Sequence, residues 1–358
     1  MIEKYYSGVI EQIYNRIGKE TRNIVMANYS NDFSIENLEV IRRYQSNEDN
    51  VFFAYSEFSY NTLVGAYEPF LDIICNMHRR FIGGSFDDFQ KECGVYYLHR
   101  QVLNSYYETG ECFREETVLL NEVAYEQRRM TMAIADMLKK LSEVKPLMIV
   151  INRFQMASKS SIETIKYLID NPCANIGIVL GVNAIVKGTD STVEVWDRIV
   201  ESLEDRSAIY YIGSAGPLKN NVKTTNDDEL YITMNFEQSI QEASNIMEFL
   251  DFEQARRGCR IIEHKLKFED AWIDEKSLRR FYMVYARTSV LLGEMSKAIE
   301  LTNEYKALIP ENDSEHYLSL YYFMKGTCYM YQGKLEKAGN SAKSAYDYAV
   351  LALSLIHI

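Results

Sequence analysis

The chain has 358 residues, of which 47% are apolar, and a formal net charge of −12. This length allows two or three domains of roughly 100–200 residues each, and the apolar fraction is sufficient for large cores rather than disorder. The negative charge argues against nucleic-acid binding, which needs Lys and Arg to neutralise phosphates, and against docking on anionic membranes.

The six cysteines form no C-x-x-C pair, and no histidine lies at metal-ligand spacing from them. The first twenty residues are amphipathic and lack the apolar region of a signal peptide. No apolar run reaches the length of roughly 18 residues that a membrane span needs. We therefore expect a reduced, cytoplasmic protein without metal, cofactor or membrane contact.

A helix is predicted over residues 2–17, and five short apolar runs follow it, separated by helical patterns. Runs of this kind, bounded by polar, Gly or Pro residues, are typical of buried parallel strands joined by crossover helices. The predicted strands are residues 23–27, 50–56, 146–154, 175–183 and 208–213.

Between the second and third strands, residues 62–144 are predicted to form a helical insertion. Residues 114–144 read as one long helix or two, because their apolar residues recur at helical spacing. The α/β domain is predicted to span residues 22–215, followed by a helical lid or linker over 229–270. The predicted apolar stripe consists of Leu119, Val123, Met130, Ala133, Met137 and Leu141.

Residues 271–352 contain a repeat, since residues 282–310 can be laid on residues 322–346. Gly293 falls on Gly333, an offset of 40 residues, and small residues recur where two helices would approach closely. The pattern resembles tetratricopeptide repeats, whose usual period is about 34 residues. An ordinary pair of helical hairpins is the alternative. The repeat template predicts groove positions at Met283, Arg287, Phe323, Thr327 and Met330.

The first strand and the helix after it lie where a nucleotide-binding protein has its phosphate loop. Laid on the G-x-x-x-x-G-K-[ST] pattern, the eight positions 27–34 keep only the final hydroxyl residue. Alanine and aspartate replace the glycines that let backbone N–H groups converge on phosphate, and phenylalanine replaces the lysine. The degenerate loop positions are Ala27, Ser30, Asp32, Phe33 and Ser34.

The third strand ends in Asn152 and Arg153, where a nucleotide hydrolase carries two acids to hold magnesium and orient water. Asn183, at the end of the fourth strand, stands where related proteins have a polar sensor residue. The order of elements resembles a P-loop NTPase of the STAND branch, related to AAA+ proteins. The fold class is thus α/β followed by all-α: a parallel P-loop NTPase-like sheet with a helical insertion, then a helical lid and a tetratricopeptide-like solenoid.

Because both motifs lose their charged residues while the strands stay apolar, the resemblance implies a pseudo-NTPase scaffold rather than an enzyme. It implies a bacterial signalling or transcription regulator that binds a protein, a peptide or a small effector through its repeats, and it allows a homo-oligomer. It also implies that strands 23–27 and 147–151 lie side by side.

The alternative is an active ATPase switch, with backbone amides near residues 30–34 binding phosphate and Arg153 or Arg22 supplying charge.

In the bacterial regulators that the chain resembles, an NTPase-like domain and helical repeats often precede an output domain, either a diguanylate cyclase or a helix-turn-helix module. The last six residues, 353–358 (LSLIHI), read as a non-native tail.

Overall fold

A computed structural model describes residues 2–29, 35–36, 38–46, 50–59, 63–114, 118–183, 186–187, 190–206, 208–212, 223–224, 235–268, 273–312 and 314–356. The chain forms two compact units. The first comprises Met1–Glu116 and Tyr125–Thr233, and the second comprises Thr117–Ala124 and Met234–Ile358. We call them the sheet unit and the repeat unit.

The sheet unit contains the α/β part of the chain. Its strands are β1 (Ile24–Tyr29), β2 (Phe52–Glu57), β3 (Leu147–Asn152), β4 (Ile176–Asn183), β5 (Val186–Lys187), β6 (Ile209–Ile212) and β7 (Lys223–Thr224). Its helices are α1 (Ile2–Arg16), α2 (Glu39–Ser46), α3 (Phe70–Met77), α4 (Phe86–Glu92), α5 (Tyr97–Thr109), α6 (Val123–Val144, whose first two residues belong to the repeat unit), α7 (Lys159–Asp170) and α8 (Asp190–Glu204).

Five of these strands form one parallel sheet in the order β2-β3-β4-β1-β6. They correspond to the five predicted runs, so the predicted α/β part followed by an all-helical part is confirmed. The predicted adjacency of the first and third runs is wrong, because β4 lies between β1 and β3. Both strands still end at the same edge of the sheet, about 10 Å apart, since each inter-strand step is roughly 4.8 Å.

Helix α1 packs on β4, β1 and β6, and two glycines of β4 make this approach possible. A Cβ atom built on Gly177 would lie 2.8 Å from the side chain of Ile17 and 2.9 Å from that of Ile13. A Cβ atom on Gly181 would lie 2.3 Å from the Tyr6 hydroxyl. The two glycines are four residues apart and so face the same side of the strand, where they leave a channel for the helix.

Helices α3 to α6 form the region predicted as an insertion. Ser85 caps α4 by accepting a hydrogen bond from the backbone N–H of Asp88, as its position before the helix predicts. Leu119 does not belong to the helical stripe predicted for it, because α6 begins only at Val123. It is instead 46% exposed and lies in the repeat unit.

The repeat unit is built from helices that pair as consecutive hairpins: α9 with α10, α11 with α12, and α13 with α14. Their bounds are α9 (Phe236–Glu248), α10 (Phe252–Phe268), α11 (Glu275–Leu291), α12 (Met295–Ala307), α13 (Glu315–Tyr331) and α14 (Leu335–Ile356). The segment predicted as a lid or linker thus folds, in its described part, as a helical hairpin.

The first hairpin turns in the same way as the other two. Leu250, Gly293 and Gly333 all have positive φ, at 69°, 79° and 73°. Each donates its backbone N–H to the carbonyl three residues earlier, at 2.9, 3.0 and 3.0 Å. An alanine follows each turn residue by five positions, at Ala255, Ala298 and Ala338. The structure therefore adds α9–α10 as a third unit of the same design, with leucine at the position that favours glycine.

Candidate functional site

The carboxyl edge of the sheet is where a doubly wound fold places a ligand. From β1 the chain crosses to β2 on one side, and from β4 it crosses to β6 on the other. Ligands bind in such sheets outside the carboxyl ends of the strands, at the point where the connections diverge. Here that point lies between the ends of β1 and β4, whose last residues, Tyr29 and Asn183, are paired in register.

Among the described residues, side chains of the protein itself occupy the ends of β1, β3 and β4 at this edge. The Tyr29 hydroxyl donates a 2.7 Å hydrogen bond to Asn152 Oδ1, and both side chains are fully buried. This bond passes over β4 at Gly181, where a Cβ atom would lie 2.7 Å from the same Oδ1. Tyr6 of α1 is also fully buried and contacts Tyr29 edge-on, with ring centroids 6.5 Å apart. The Asn152 amide thus accepts a tyrosine hydroxyl within a packed core.

Arg153, at the position aligned with the second acid of the motif, is held by the neighbouring strand. Its guanidinium forms an ion pair with Glu57 Oε1 at 3.0 Å and donates to the backbone carbonyl of Phe58 at 3.4 Å. The Tyr55 hydroxyl also donates to Glu57. The backbone of Arg153 is left-handed, with φ of 55°. The arginine proposed as a phosphate ligand in the ATPase alternative therefore has a carboxylate partner inside the fold.

Asn183, the predicted sensor position, is buried at the end of β4. Its backbone N–H donates to Gln155 Oε1 at 3.2 Å, which joins the end of β4 to the turn after β3. The next helix, α7, begins at Lys159 and is capped by Ser158, whose side chain accepts a hydrogen bond from the backbone N–H of Ser161. This hydrogen bond between Asn183 and Gln155 connects the ends of the neighbouring strands β3 and β4.

The phosphate-loop alignment is only partly testable. Ala27 is a buried strand residue paired with Gly181, and β1 continues to Tyr29, so the first positions of the aligned loop are strand instead of loop. Ser30, Asp32, Phe33 and Ser34 lie outside the described residues. Arg22 precedes β1 and thus lies at the opposite edge, roughly 20 Å away along a strand rising about 3.3 Å per residue. It cannot supply charge at the carboxyl edge.

A second buried polar cluster lies among the insertion helices. His99 Nε2 lies 3.0 Å from Glu126 Oε2, and the Arg129 guanidinium is 3.3 Å from the other carboxylate oxygen. Burial of the imidazole, followed by the charges of Arg114 and Arg129, lowers the pKa of His99 to about 3. His99 is therefore neutral at pH 7.

The repeat unit contains an open cavity of about 440 Å³. Four of the five predicted groove residues line it, and the fifth, Met283, does not. Two residues from the segment Thr117–Ala124, Val118 and Leu119, complete its wall. The lining is Val118, Leu119, Arg287, Val290, Leu291, Phe323, Met324, Gly326, Thr327, Met330, Tyr331, Ala338, Gly339 and Ala342.

The polar groups of this cavity are few, as in most ligand pockets. Arg287 donates to Glu248 Oε1 at 2.9 Å, and Thr327 donates to the backbone carbonyl of Phe323 at 3.0 Å. Phe323 and Met330, which line the cavity, are 47% and 44% exposed and so add large apolar side chains to its accessible surface. The cavity can hold apolar groups and has one cation in its wall.

Sequence reasoning missed Val118, Leu119, Tyr6 and Gly181. Only the pair of glycines spaced by four in β4 could have signalled a close approach. Within the described residues, no group of three or more His, Cys, Asp or Glu side chains is placed to hold a metal ion. No described helix is long and apolar enough to cross a bilayer. No protein-family model matches the chain, and no curated protein matches it significantly.

Proposed function

We propose that the chain is a non-catalytic regulatory module: a pseudo-NTPase sheet that acts as a scaffold, joined to helical repeats that bind a protein or peptide partner. The nature of the signal and of any output domain stays a prediction from the resemblance to bacterial STAND regulators.

The observation that carries this proposal is the hydrogen bond from Tyr29 to Asn152. A magnesium–triphosphate site needs a carboxylate and free space at this edge. The asparagine supplies no negative charge, and its Oδ1 already accepts a hydrogen bond from a buried hydroxyl. A magnesium ion that took Asn152 as a ligand would have to compete with that hydrogen bond.

The strand order β2-β3-β4-β1-β6 keeps the ends of the two strands that carry the degenerate motifs at one edge of a parallel sheet, with β4 between them. This shared edge supports the resemblance to a nucleotide switch, although the two strands are not adjacent. The ATPase alternative loses support, because Arg153 is paired with Glu57 and Arg22 lies at the other edge.

The repeats support the binding half of the proposal. Stacked helical hairpins present a continuous inner surface, and their cavities usually serve partners rather than catalysis. The cavity of about 440 Å³ falls within the usual range of ligand pockets, roughly 300–1,000 Å³.

Isothermal titration calorimetry with magnesium and ATP tests the scaffold. We expect no binding heat up to about 1 mM nucleotide, the concentration that corresponds to a binding free energy of about −4 kcal/mol. Arg153→Ala and Ser34→Ala are the matched variants, since the ATPase alternative predicts that each abolishes turnover. Micromolar, magnesium-dependent binding that Ser34→Ala removes would overturn the proposal.

A further inference from the structure

The chain already places a piece of itself against the cavity of the repeat unit. Val118 and Leu119 line the cavity, and the backbone N–H of Leu120 donates to the Tyr331 hydroxyl at 2.8 Å. These residues precede α6, and the N–H of Glu122 closes a turn onto the carbonyl of Leu119 at 2.9 Å. The contact therefore combines two aliphatic side chains with one main-chain hydrogen bond, as in peptide recognition.

The segment occupies the cavity only in part. Leu119 stays 46% exposed, and Phe323 and Met330 are exposed to a similar degree around it. An occupant that fits the cavity better would bury more of this exposed apolar surface and would gain the corresponding hydrophobic free energy on binding. The same surface thus accepts aliphatic peptide groups and has room for more of them.

We propose that the cavity binds an aliphatic peptide from a partner protein, and that the segment Val118–Leu120 is an internal competitor that the partner displaces. This inference rests on the proposal that the helical repeats bind a protein or peptide. It does not depend on the proposal that the sheet unit lacks a nucleotide site. Because the segment is tethered, its effective concentration is of the order of 1 mM. If the segment itself has an intrinsic Kd of about 100 µM for the cavity, a partner would bind about tenfold more weakly to the wild-type chain.

The probe is a fluorescein-labelled peptide with the sequence of residues 114–124, REETVLLNEVA, titrated with the full chain in a fluorescence-anisotropy assay. The test variant is Val118→Ser with Leu119→Ser. Val118 is half-buried and Leu119 is exposed, so the double change empties no core. We expect the variant to bind the peptide about tenfold more tightly than the wild-type chain does. Val118→Ser alone should shift the affinity in the same direction.

Two controls assign the effect to the cavity. Adding Phe323→Ala and Met330→Ala to the double variant should remove binding, whereas adding Leu335→Ser, an exposed apolar residue of α14 outside the cavity, should leave it unchanged. A peptide of the same composition in scrambled order should bind at least severalfold more weakly.

Equal affinity of the wild-type chain and the double variant would show that the segment does not compete, and the inference would fail. Failure of both proteins to bind the peptide would show that the cavity does not take this chemistry. Magnesium–ATP binding in the separate calorimetric experiment would overturn the scaffold but would leave the peptide result standing, so the two failures are distinguishable.

Discussion

The closed edge of the sheet depends on a missing side chain, which makes Gly181→Ala the most informative perturbation. The new Cβ atom would lie 2.3 Å from the Tyr6 hydroxyl and 2.7 Å from Asn152 Oδ1, whereas ordinary contacts begin at 3.4 Å. The hydroxyl would have to move by about 1 Å inside a packed core. Overpacking of this kind costs typically about 1–3 kcal/mol.

The opposing effect is the gain from replacing a flexible glycine, about 0.5–1 kcal/mol. We therefore expect a net loss of stability of about 1–2 kcal/mol. Tyr6→Phe removes the atom that clashes most, and the next ring atom would be 3.2 Å from the new Cβ. In the Tyr6→Phe background, Gly181→Ala should cost at least about 1 kcal/mol less, which is the coupling energy expected of residues in contact.

Urea unfolding followed by the fluorescence of Trp196 measures these changes in the sheet unit. Trp196 is buried in α8 against Phe154, and Trp272→Phe removes the other tryptophan of the chain. Gly8→Ala is the matched control, because nothing lies within 4 Å of a Cβ atom at this position of α1. It should be neutral or stabilising. If Gly181→Ala behaves like Gly8→Ala, or shows no coupling to Tyr6→Phe, the close packing of Tyr6 and Asn152 against Gly181 is refuted.

Three further outcomes follow from the structure. Tyr29→Phe should destabilise the sheet unit by about 1–3 kcal/mol in urea unfolding, because the buried Asn152 oxygen loses its donor; no change would contradict that bond. Gly333→Ala should lower the thermal stability of the repeat unit by about 1–2 kcal/mol, since its φ is 73°, whereas Gly339→Ala should not. The pKa of His99 falls from 6.5 to about 3 on folding, so the unfolded chain binds more protons in that range and stability decreases as the pH falls below 6.5. His99→Gln should flatten this decrease in unfolding experiments; an unchanged slope would contradict it.

The sheet could be predicted because buried parallel strands are continuous apolar runs, as in β3 and β4. Strand order depends on which way each crossover runs, which apolar periodicity does not record, and this is why the adjacency of β1 and β3 was predicted wrongly. Leu119 was placed in a helix because it lies four residues before Val123, which is a helical spacing. The apolar spacing extends N-terminal of α6, but the helix itself begins only at Val123. The first hairpin was missed because Leu250 replaces the glycine that marks the other turns, although Ala255 keeps the repeat spacing.

The candidate sites were predictable to different degrees. Asn152 and Arg153 could be chosen from their place after an apolar strand, but their partners, Tyr29 and Glu57, come from distant strands and are set by the sheet register. Arg287 and Phe323 followed from the repeat template. Val118 did not, because its neighbours in the cavity lie roughly 170–220 residues later in the chain.

The most direct test of the central claim is a crystal structure of the chain grown with magnesium and a non-hydrolysable ATP analogue. We expect Tyr29 and Asn152 to remain hydrogen-bonded and no triphosphate to lie at the carboxyl edge of the sheet. A triphosphate and a metal ion bound beside Phe33 and Asn152, with that hydrogen bond broken, would contradict it.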